Sequence, residues 1–385
     1  MPTTHMFQTT PRIIMGAGCL PQIIGEVKRL ESGKVFIVTD PGLVEAGVAG
    51  RLERILGDGG IAFELFDQVT SDPNLDVAHA AAEALRASGA PVVIGLGGGS
   101  AIDIAKIAAL MVDNNGTLND YFGIDLIPKP GRRTLIVPTT AGTGSEVTPI
   151  VILSDEVERL KKGVVSPYLF PAVALLDPEL TLGLPPAVTA ATGMDALIHA
   201  VEAFTSKNAY PMTDMLAREA MVLISDNIRT AFANGQDLDA RSRMLEGSLL
   251  AGMAFANAGV TAVHAFAYPI GAEFHIPHGV ANSIMLAPVM AFNMLGNLTK
   301  FAEMAELLGE ETTDMSTREM ALVAVEALRT LSADLRIPDH LSQFGVKEAD
   351  IPMLAQGVMK VTRLLANNPR QMTQEDAERI YLSVL

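Results

Sequence analysis

Asp195 and His199 stand four positions apart in Thr192-Gly193-Met194-Asp195-Ala196-Leu197-Ile198-His199, a stretch that reads as helix. Residues at that spacing share a helix face, with Cβ atoms roughly 5–6 Å apart, close enough to hold one ion. Two more histidines, His264 and His278, flank a Pro/Gly-interrupted segment downstream. Three imidazoles and a carboxylate make a borderline-hard ligand set without thiolate, suited to Fe(II) or, in its place, Zn(II). A metal with an open coordination position can polarise an alcohol or carbonyl oxygen. His275 lies three residues before His278, and by spacing either could reach an ion. His5, His79 and His340 fall outside the cluster and read as solvated side chains.

A second group of residues suits a nucleotide. Gly97-Gly98-Gly99-Ser100 follows an apolar run and opens a helical pattern. Glycines let the backbone approach a pyrophosphate, and the free amides of a helix N-terminus favour its charge. The run departs from G-x-G-x-x-G, and Ser100 with Asp103 also has capping-box-like spacing. Asp40 ends another apolar run. A carboxylate there can accept bonds from ribose hydroxyls and repel a 2′-phosphate, favouring NAD over NADP, or it can cap a helix before Pro41. Pro138-Thr139-Thr140-Ala141-Gly142-Thr143-Gly144-Ser145-Glu146 is a third loop of small hydroxyl donors and glycines after an apolar run.

The elements that must position these loops alternate. Lys34–Asp40, Ile61–Phe66, Pro91–Leu96 and Thr134–Pro138 read as buried strands. Helical patterns run over Glu45–Leu56, Val77–Ser88 and Ser100–Val112. Strand–helix alternation predicts βαβ units and a mostly parallel sheet, with ligands at the carboxyl ends of its strands. Beyond Pro185-Pro186 the pattern is almost wholly helical, interrupted at Pro211, Asn234-Gly235, Pro269, Pro277, Pro288, Pro338 and Pro369. The expected domains are therefore an α/β domain over residues 1–186 and a helical, metal-binding domain over 187–385.

Composition narrows the function classes. The 385 residues carry a formal net charge of −16, which argues against nucleic acid or an anionic membrane surface as partner. The single cysteine, Cys19, permits no internal disulfide and fits a reducing, cytoplasmic location. The first ten residues lack the basic head and apolar run of a signal peptide. Gly247–Ala272 contains no charged residue and is long enough to span a bilayer, but its Gly/Ala-rich composition reads as closely packed helix in a soluble protein.

Taken in order, these motifs resemble those of the iron-containing (group III) alcohol dehydrogenases. The resemblance runs from about Pro11 to the C-terminus and takes in the Gly97–Ser100 loop with Asp103, the 138–146 loop and Ala191–His199. It continues through His264 and Pro277-His278-Gly279-Val280-Ala281-Asn282 to Asn368-Pro369-Arg370. It implies a dehydroquinate-synthase-like fold, with an N-terminal Rossmann-like dinucleotide-binding domain and a C-terminal helical metal-binding domain. By position, Asp195, His199, His264 and His278 fall on the family's metal ligands. Asp40, Asp72, Gly97, Gly98, Gly99, Ser100, Asp103, Thr139, Thr140, Thr143, Ser145 and Lys162 fall on or beside its cofactor-binding positions. The Pro-His-Gly context favours His278 over His275 as the ligand, leaving His275 to line the pocket.

One position departs from the commoner pattern. Many members carry a second histidine four residues after the third ligand; here Tyr268 stands there, as in the hydroxyacid–oxoacid transhydrogenase branch. A tyrosine, with a reference pKa of about 10, is a poorer proton relay at neutral pH. The implied activity is metal-assisted hydride transfer between NAD and a small alcohol or its aldehyde or ketone, in a homodimer or higher homo-oligomer. A hydroxyacid–oxoacid transhydrogenase-like enzyme, or another hydroxyacid or aldehyde reductase of the same family, is the nearest alternative. A lyase like dehydroquinate synthase would need more basic residues than the region 187–290 offers, and a non-catalytic metal- or nucleotide-binding protein would show no turnover.

Overall fold

The computed structural model describes residues 4–30, 33–155 and 160–385. It divides into two compact units, Thr9–Gly183 and Leu184–Leu385, the second joined by the N-terminal residues through Gln8. Those residues dock by specific bonds. Gln8 and Asn257 exchange two hydrogen bonds of 2.8 and 2.9 Å, the Tyr210 hydroxyl donates to the Met6 carbonyl, and His5 stacks on Tyr210 at 4.3 Å.

The α/β unit is built from strands β1 (Ile13–Met15), β2 (Lys34–Val38), β3 (Ala62–Phe66), β4 (Val92–Gly97), β5 (Gly123–Ile124), β6 (Arg133–Pro138), β7 (Ile150–Asp155), β8 (Leu160–Val165) and β9 (Val173–Leu176). Its helices are α1 (Ile23–Arg29), α2 (Pro41–Glu45), α3 (Val48–Asp58), α4 (Leu75–Ser88), α5 (Gly99–Met111) and α6 (Leu118–Tyr121). Six strands form one parallel sheet in the order β1-β9-β6-β4-β2-β3. A parallel sheet covered on both faces needs apolar residues on both sides of each strand, and Lys34-Val35-Phe36-Ile37-Val38 supplies them. Phe36 and Val38 pack with Ala78, Leu85 and Ile102 of α4 and α5. Val35 and Ile37 face the other way, into Ile23, Val27, Leu52 and Leu56 of α1 and α3.

The expected strands and helices of this unit are all present, with ends shifted by a few residues. Five further strands carry no clear sequence signal. β1 and β9 pair with each other at one edge of the large sheet, while β5, β8 and β7 form a separate three-stranded sheet in which β7 and β8 are antiparallel.

The helical unit contains α7 (Pro186–Thr205), α8 (Pro211–Ala233), α9 (Leu238–Ala258), α10 (Ala262–Phe274), α11 (His278–Asn293), α12 (Leu298–Leu307), α13 (Thr317–Asp334), α14 (Ile351–Lys360), α15 (Thr362–Asn367) and α16 (Gln374–Leu382). Pro186 and Pro211 open α7 and α8, where a missing N–H costs nothing. Pro269 and Pro288, by contrast, lie inside α10 and α11 instead of ending them. Pro269 removes the N–H that would bond the Ala265 carbonyl, and the next carbonyl along, that of Phe266, accepts from the buried Tyr381 hydroxyl at 2.7 Å. The uncharged stretch Gly247–Ala272 is not one straight span: it divides between α9 and α10, which meet at 101°. The α11 region, His278–Gly296, is long and apolar enough to cross a membrane by composition, and most of it is buried inside the fold.

Candidate metal centre and nucleotide-binding loops

Three helices of the second unit bring the sequence-marked ligands together. Asp195 and His199 lie one turn apart on α7, His264 is the third residue of α10, and His278 is the first of α11. One ligand atom from each of Asp195, His199 and His264 lies within 4.8 Å of the other two, and all three residues are buried. The Nε2 atoms of His199 and His264 are 3.1 Å apart. Asp195 Oδ1 is 3.9 Å from His264 Nε2 and 3.8 Å from His278 Nε2.

These separations test whether a metal fits. Bonds of about 2.0–2.2 Å to ligands in tetrahedral or octahedral array place neighbouring donor atoms roughly 3–3.5 Å apart. The His199–His264 separation falls in that range and the two Asp195 separations lie a few tenths of an ångström above it, so small side-chain adjustments suffice to close the donors on one ion. Burial pushes the Asp195 carboxyl up, but the His199, His278 and His264 imidazoles and the Asn282 amide outweigh it and hold the pKa down to about 2. The carboxylate is thus ionised, as a ligand must be. His264 is drawn below its ordinary value by burial but raised on balance by Glu202.

Close packing explains how His278 reaches Asp195. A Cβ on Gly279 would lie 2.8 Å from the Ala191 carbonyl carbon and closer still to its oxygen. Only glycine lets the start of α11 come this near to α7. His275 sits differently: it is the exposed C-cap of α10, in the left-handed region at φ +53°. Tyr268, one turn after His264 on α10, is half-buried, with its ring centroid 6.2 Å from that of His278.

In the α/β unit the glycine run follows β4 and opens α5, with Gly98 as N-cap. Gly97 has φ +151°, a conformation side chains rarely adopt, and a Cβ there would sit 2.7 Å from the Ala101 Cβ. A Cβ on Gly99 would lie 3.2 Å from the Thr143 Cβ, and one on Gly98 3.5 Å from the Thr140 hydroxyl. The Thr139 amide donates to the Gly97 carbonyl at 3.0 Å. Asp40 caps α2 by accepting from the Leu43 amide at 3.1 Å, and its Oδ2 is 3.5 Å from where a Gly97 Cβ would be. Asp40, Gly97–Ser100, Thr139, Thr140 and Thr143 therefore gather at the carboxyl ends of the neighbouring strands β2, β4 and β6, beside the free amides of α5.

The chain matches the family model for iron-containing alcohol dehydrogenases over residues 10–178 and that for the C-terminal region of the same family over residues 189–385. It is 42% identical to sulfoacetaldehyde reductase of Bilophila wadsworthia over 95% of each chain. The chain belongs to the iron-containing alcohol dehydrogenase family. It is an alcohol–aldehyde oxidoreductase with that family's fold. Among solved structures, 1,3-propanediol oxidoreductase superposes with a TM-score of 0.97 at 37% identity, covering all of both chains. Sulfoacetaldehyde reductase from Bifidobacterium kashiwanohense, solved in complex with NAD+, superposes at 0.87 with 29% identity, covering 100% of this chain and 99% of that one.

Other sequence-marked residues of this dehydrogenase have structural partners of their own. Asp103 accepts from the Ser145 hydroxyl at 2.6 Å and the Ile152 amide at 2.8 Å, so both side chains brace the end of the Thr-rich loop. Asp72, with φ +50°, pairs with Lys161 at 2.6 Å, and Lys162 pairs with Asp155 at 2.8 Å while lying over the Phe122 ring.

Several residues at these sites gave no signal by themselves. Lys106 is buried and its ammonium donates to the carbonyls of Ser145, Thr148 and Ile150 at 3.0, 2.9 and 2.7 Å. Burial lowers its pKa to about 8 despite the Asp103 and Glu146 carboxylates, and burial pushes the neighbouring Glu146 up to about 7. In the helical unit, Asn282 donates to Asp195 Oδ1 at 2.7 Å and its Nδ2 lies 3.2 Å from His278 Nε2, while its own carbonyl oxygen is buried without a partner among the described residues. Phe255 of α9 stacks on the His199 ring at 4.3 Å. Glu202, fully buried, faces His264. The i, i+4, i+7 spacing of Asp195, His199 and Glu202 is the pattern that could have drawn attention to it.

Proposed function

We propose that this dehydrogenase passes a hydride between a small alcohol and NAD, with Fe(II) held by Asp195, His199, His264 and His278. The observation that carries this reading is the grouping of the Asp195 carboxylate with the His199 and His264 imidazoles, with His278 Nε2 3.8 Å from that carboxylate. Such an ion supplies Lewis-acid polarisation of a substrate oxygen, and Zn(II) fits the same donors. The residues of the chain do the rest. The Asp195 carboxylate and the three rings orient the ion, with Asp195, His199 and His264 buried and His278 part-exposed on the side open to substrate. The Gly97–Gly99 turn and the α5 amides receive the pyrophosphate, and Asp40 accepts from the adenosine ribose. Thr139, Thr140 and Thr143 offer hydroxyls next to that turn. Asp103, Ser145, Asp72 and Lys162 hold the surrounding segments in place.

NAD is favoured over NADP because Asp40 stands at the end of β2, where a 2′-phosphate would meet its charge. A relative solved with NAD+ supports the same choice. Tyr268, beside His278, shapes the pocket wall near the metal, and His275 caps α10 at its exposed end. The buried lone thiol of Cys19 fits work in a reducing cytoplasm.

The relatives named for sulfoacetaldehyde and 1,3-propanediol define the range to test. Metal-loaded protein is to be assayed by NADH absorbance with primary alcohols, 1,3-propanediol and small hydroxyacids, and in reverse with their aldehydes and sulfoacetaldehyde. Turnover with short alcohols and aldehydes is the expected result. Turnover with hydroxyacids alone would move the reading to the transhydrogenase-like alternative, and no NAD-linked turnover with any of them would refute it.

A further inference from the structure

We propose that Glu202 is the positioning residue that fixes which ring nitrogen His264 turns toward the metal. The inference rests on the metal reading above and goes one step beyond it. Glu202 is completely buried on α7, one turn beyond His199. Its carboxylate has three partners, all from the start of α10. Oε1 accepts from the Thr261 hydroxyl at 2.6 Å and from the Val263 amide at 2.7 Å, and Oε2 meets His264 Nδ1 in a short contact.

A carboxylate only accepts, so His264 Nδ1 must carry the proton of that bond. In the neutral ring the other nitrogen, Nε2, is then left with its lone pair. That is the atom lying 3.1 Å from His199 Nε2 and 3.9 Å from Asp195 Oδ1. Helix α7 thus supplies two candidate ligands and also the group that sets the tautomer and orientation of a third.

The site holds the carboxylate by more than this one bond. Val263 is the second residue of α10, and its amide is among those a helix N-terminus leaves unsatisfied. Negative charge is favourable at that end of a helix. The first residue, Ala262, has its amide satisfied by Asn368 Oδ1 at 3.3 Å. Glu202 could therefore serve as a plain cap for α10, and the test must separate capping from control of the imidazole.

Glu202→Gln separates them. The amide oxygen can still accept from Thr261 and Val263, but the NH2 group then faces His264 Nδ1. That ring nitrogen becomes an acceptor and the proton moves to Nε2, where it blocks the lone pair. The full-length chain is stripped with chelator and titrated with Zn(II) in competition with a chromophoric chelator. Metal affinity should fall about 10–100-fold, the usual effect of losing a partner behind a metal-bound histidine, with little change in the melting temperature of the metal-free protein. Thr261→Val removes a capping bond to the same carboxylate and should lower the melting temperature while leaving metal affinity unchanged. Glu202→Asp, which keeps an acceptor at shorter reach, should bind metal more tightly than Glu202→Gln and more weakly than wild type. If Glu202→Gln does not fold, the aspartate variant carries the test alone, and wild-type affinity in it overturns the proposal. Equal affinities in wild type and Glu202→Gln, or an equal loss in Thr261→Val, also overturn it. A wild-type chain that takes up no metal refutes the site reading itself and this inference with it.

Discussion

Replacing Gly279 by alanine should separate the stability of the helical unit from the integrity of its metal centre. The added Cβ would fall 2.8 Å from the Ala191 carbonyl carbon, where ordinary contact begins at 3.4 Å, and its approach to the carbonyl oxygen is tighter still. Both obstructing atoms are backbone, so α7 and α11 must part by at least about 0.6 Å. Overpacking of this kind costs about 1–3 kcal/mol, which a chain of this size can absorb. A metal site is less forgiving, because ligand distances hold to within about 0.2 Å. His278 is the residue next to Gly279, so the shift moves it off Asp195. The expected result is a folded protein with near-wild-type circular dichroism, a melting temperature lowered by a few degrees, and Zn(II) affinity reduced at least tenfold. Gly247→Ala is the control. Its Cβ would meet the Ile224 Cγ1 and Cδ1 atoms, at 2.6 and 3.3 Å, between α8 and α9, which carry none of the four ligands. It should lower stability and leave metal affinity intact. Wild-type metal affinity in Gly279→Ala would refute the claim that helix approach sets the ligand geometry.

Asp40→Gly should raise the use of NADP relative to NAD. Glycine is the substitution to choose, since as an N-cap it costs only a few tenths of a kcal/mol against aspartate; an unchanged preference ratio would leave Asp40 as the α2 cap alone. Tyr268→Phe should retain most of the turnover with small substrates and full metal content. A rate lowered about a hundredfold at equal metal occupancy would instead give the phenol a part in proton transfer. Glu146→Gln should change how stability depends on pH. Burial makes the folded carboxyl keep its proton up to about pH 7 against an ordinary value of 4.5, so its contribution is complete below 4.5 and lost as pH rises through 7. The effect is on the order of 3 kcal/mol. Melting temperatures of wild type and variant should therefore diverge in the variant's favour between about pH 5 and 8, and parallel curves would contradict the assignment.

Much of this arrangement was legible in the residues themselves. Asp195 and His199 announced a shared helix face because helical periodicity is local. The Gly97–Ser100 turn did so because only glycine accommodates that backbone and that approach to Ala101 and Thr143. The inner strands of the parallel sheet stood out for the same reason: burial on both faces makes them continuous apolar runs. What escaped depends on partners distant in sequence. Three-residue β1 is a strand only because β9 lies beside it, more than 150 positions later. Lys106 looks like any helical lysine until the Ser145–Ile150 segment closes over its ammonium. Glu202 is one acidic residue among 44 until α10 brings His264 against it. Pro269 and Pro288 misled in the opposite direction, because tertiary packing kept intact two helices that local propensity would have ended.

Hydride transfer by this chain should require one ion held by the four ligand residues of the helical unit. The deciding measurement is metal content per chain after anaerobic loading with Fe(II) and desalting, made on wild type, Asp195→Ala and His278→Ala, each paired with NADH formation from a short primary alcohol. One ion per wild-type chain is predicted, with metal and turnover lost together in both variants and with circular dichroism unchanged. Equal metal content in wild type and His278→Ala, or full NADH formation by chelator-stripped protein, would contradict it.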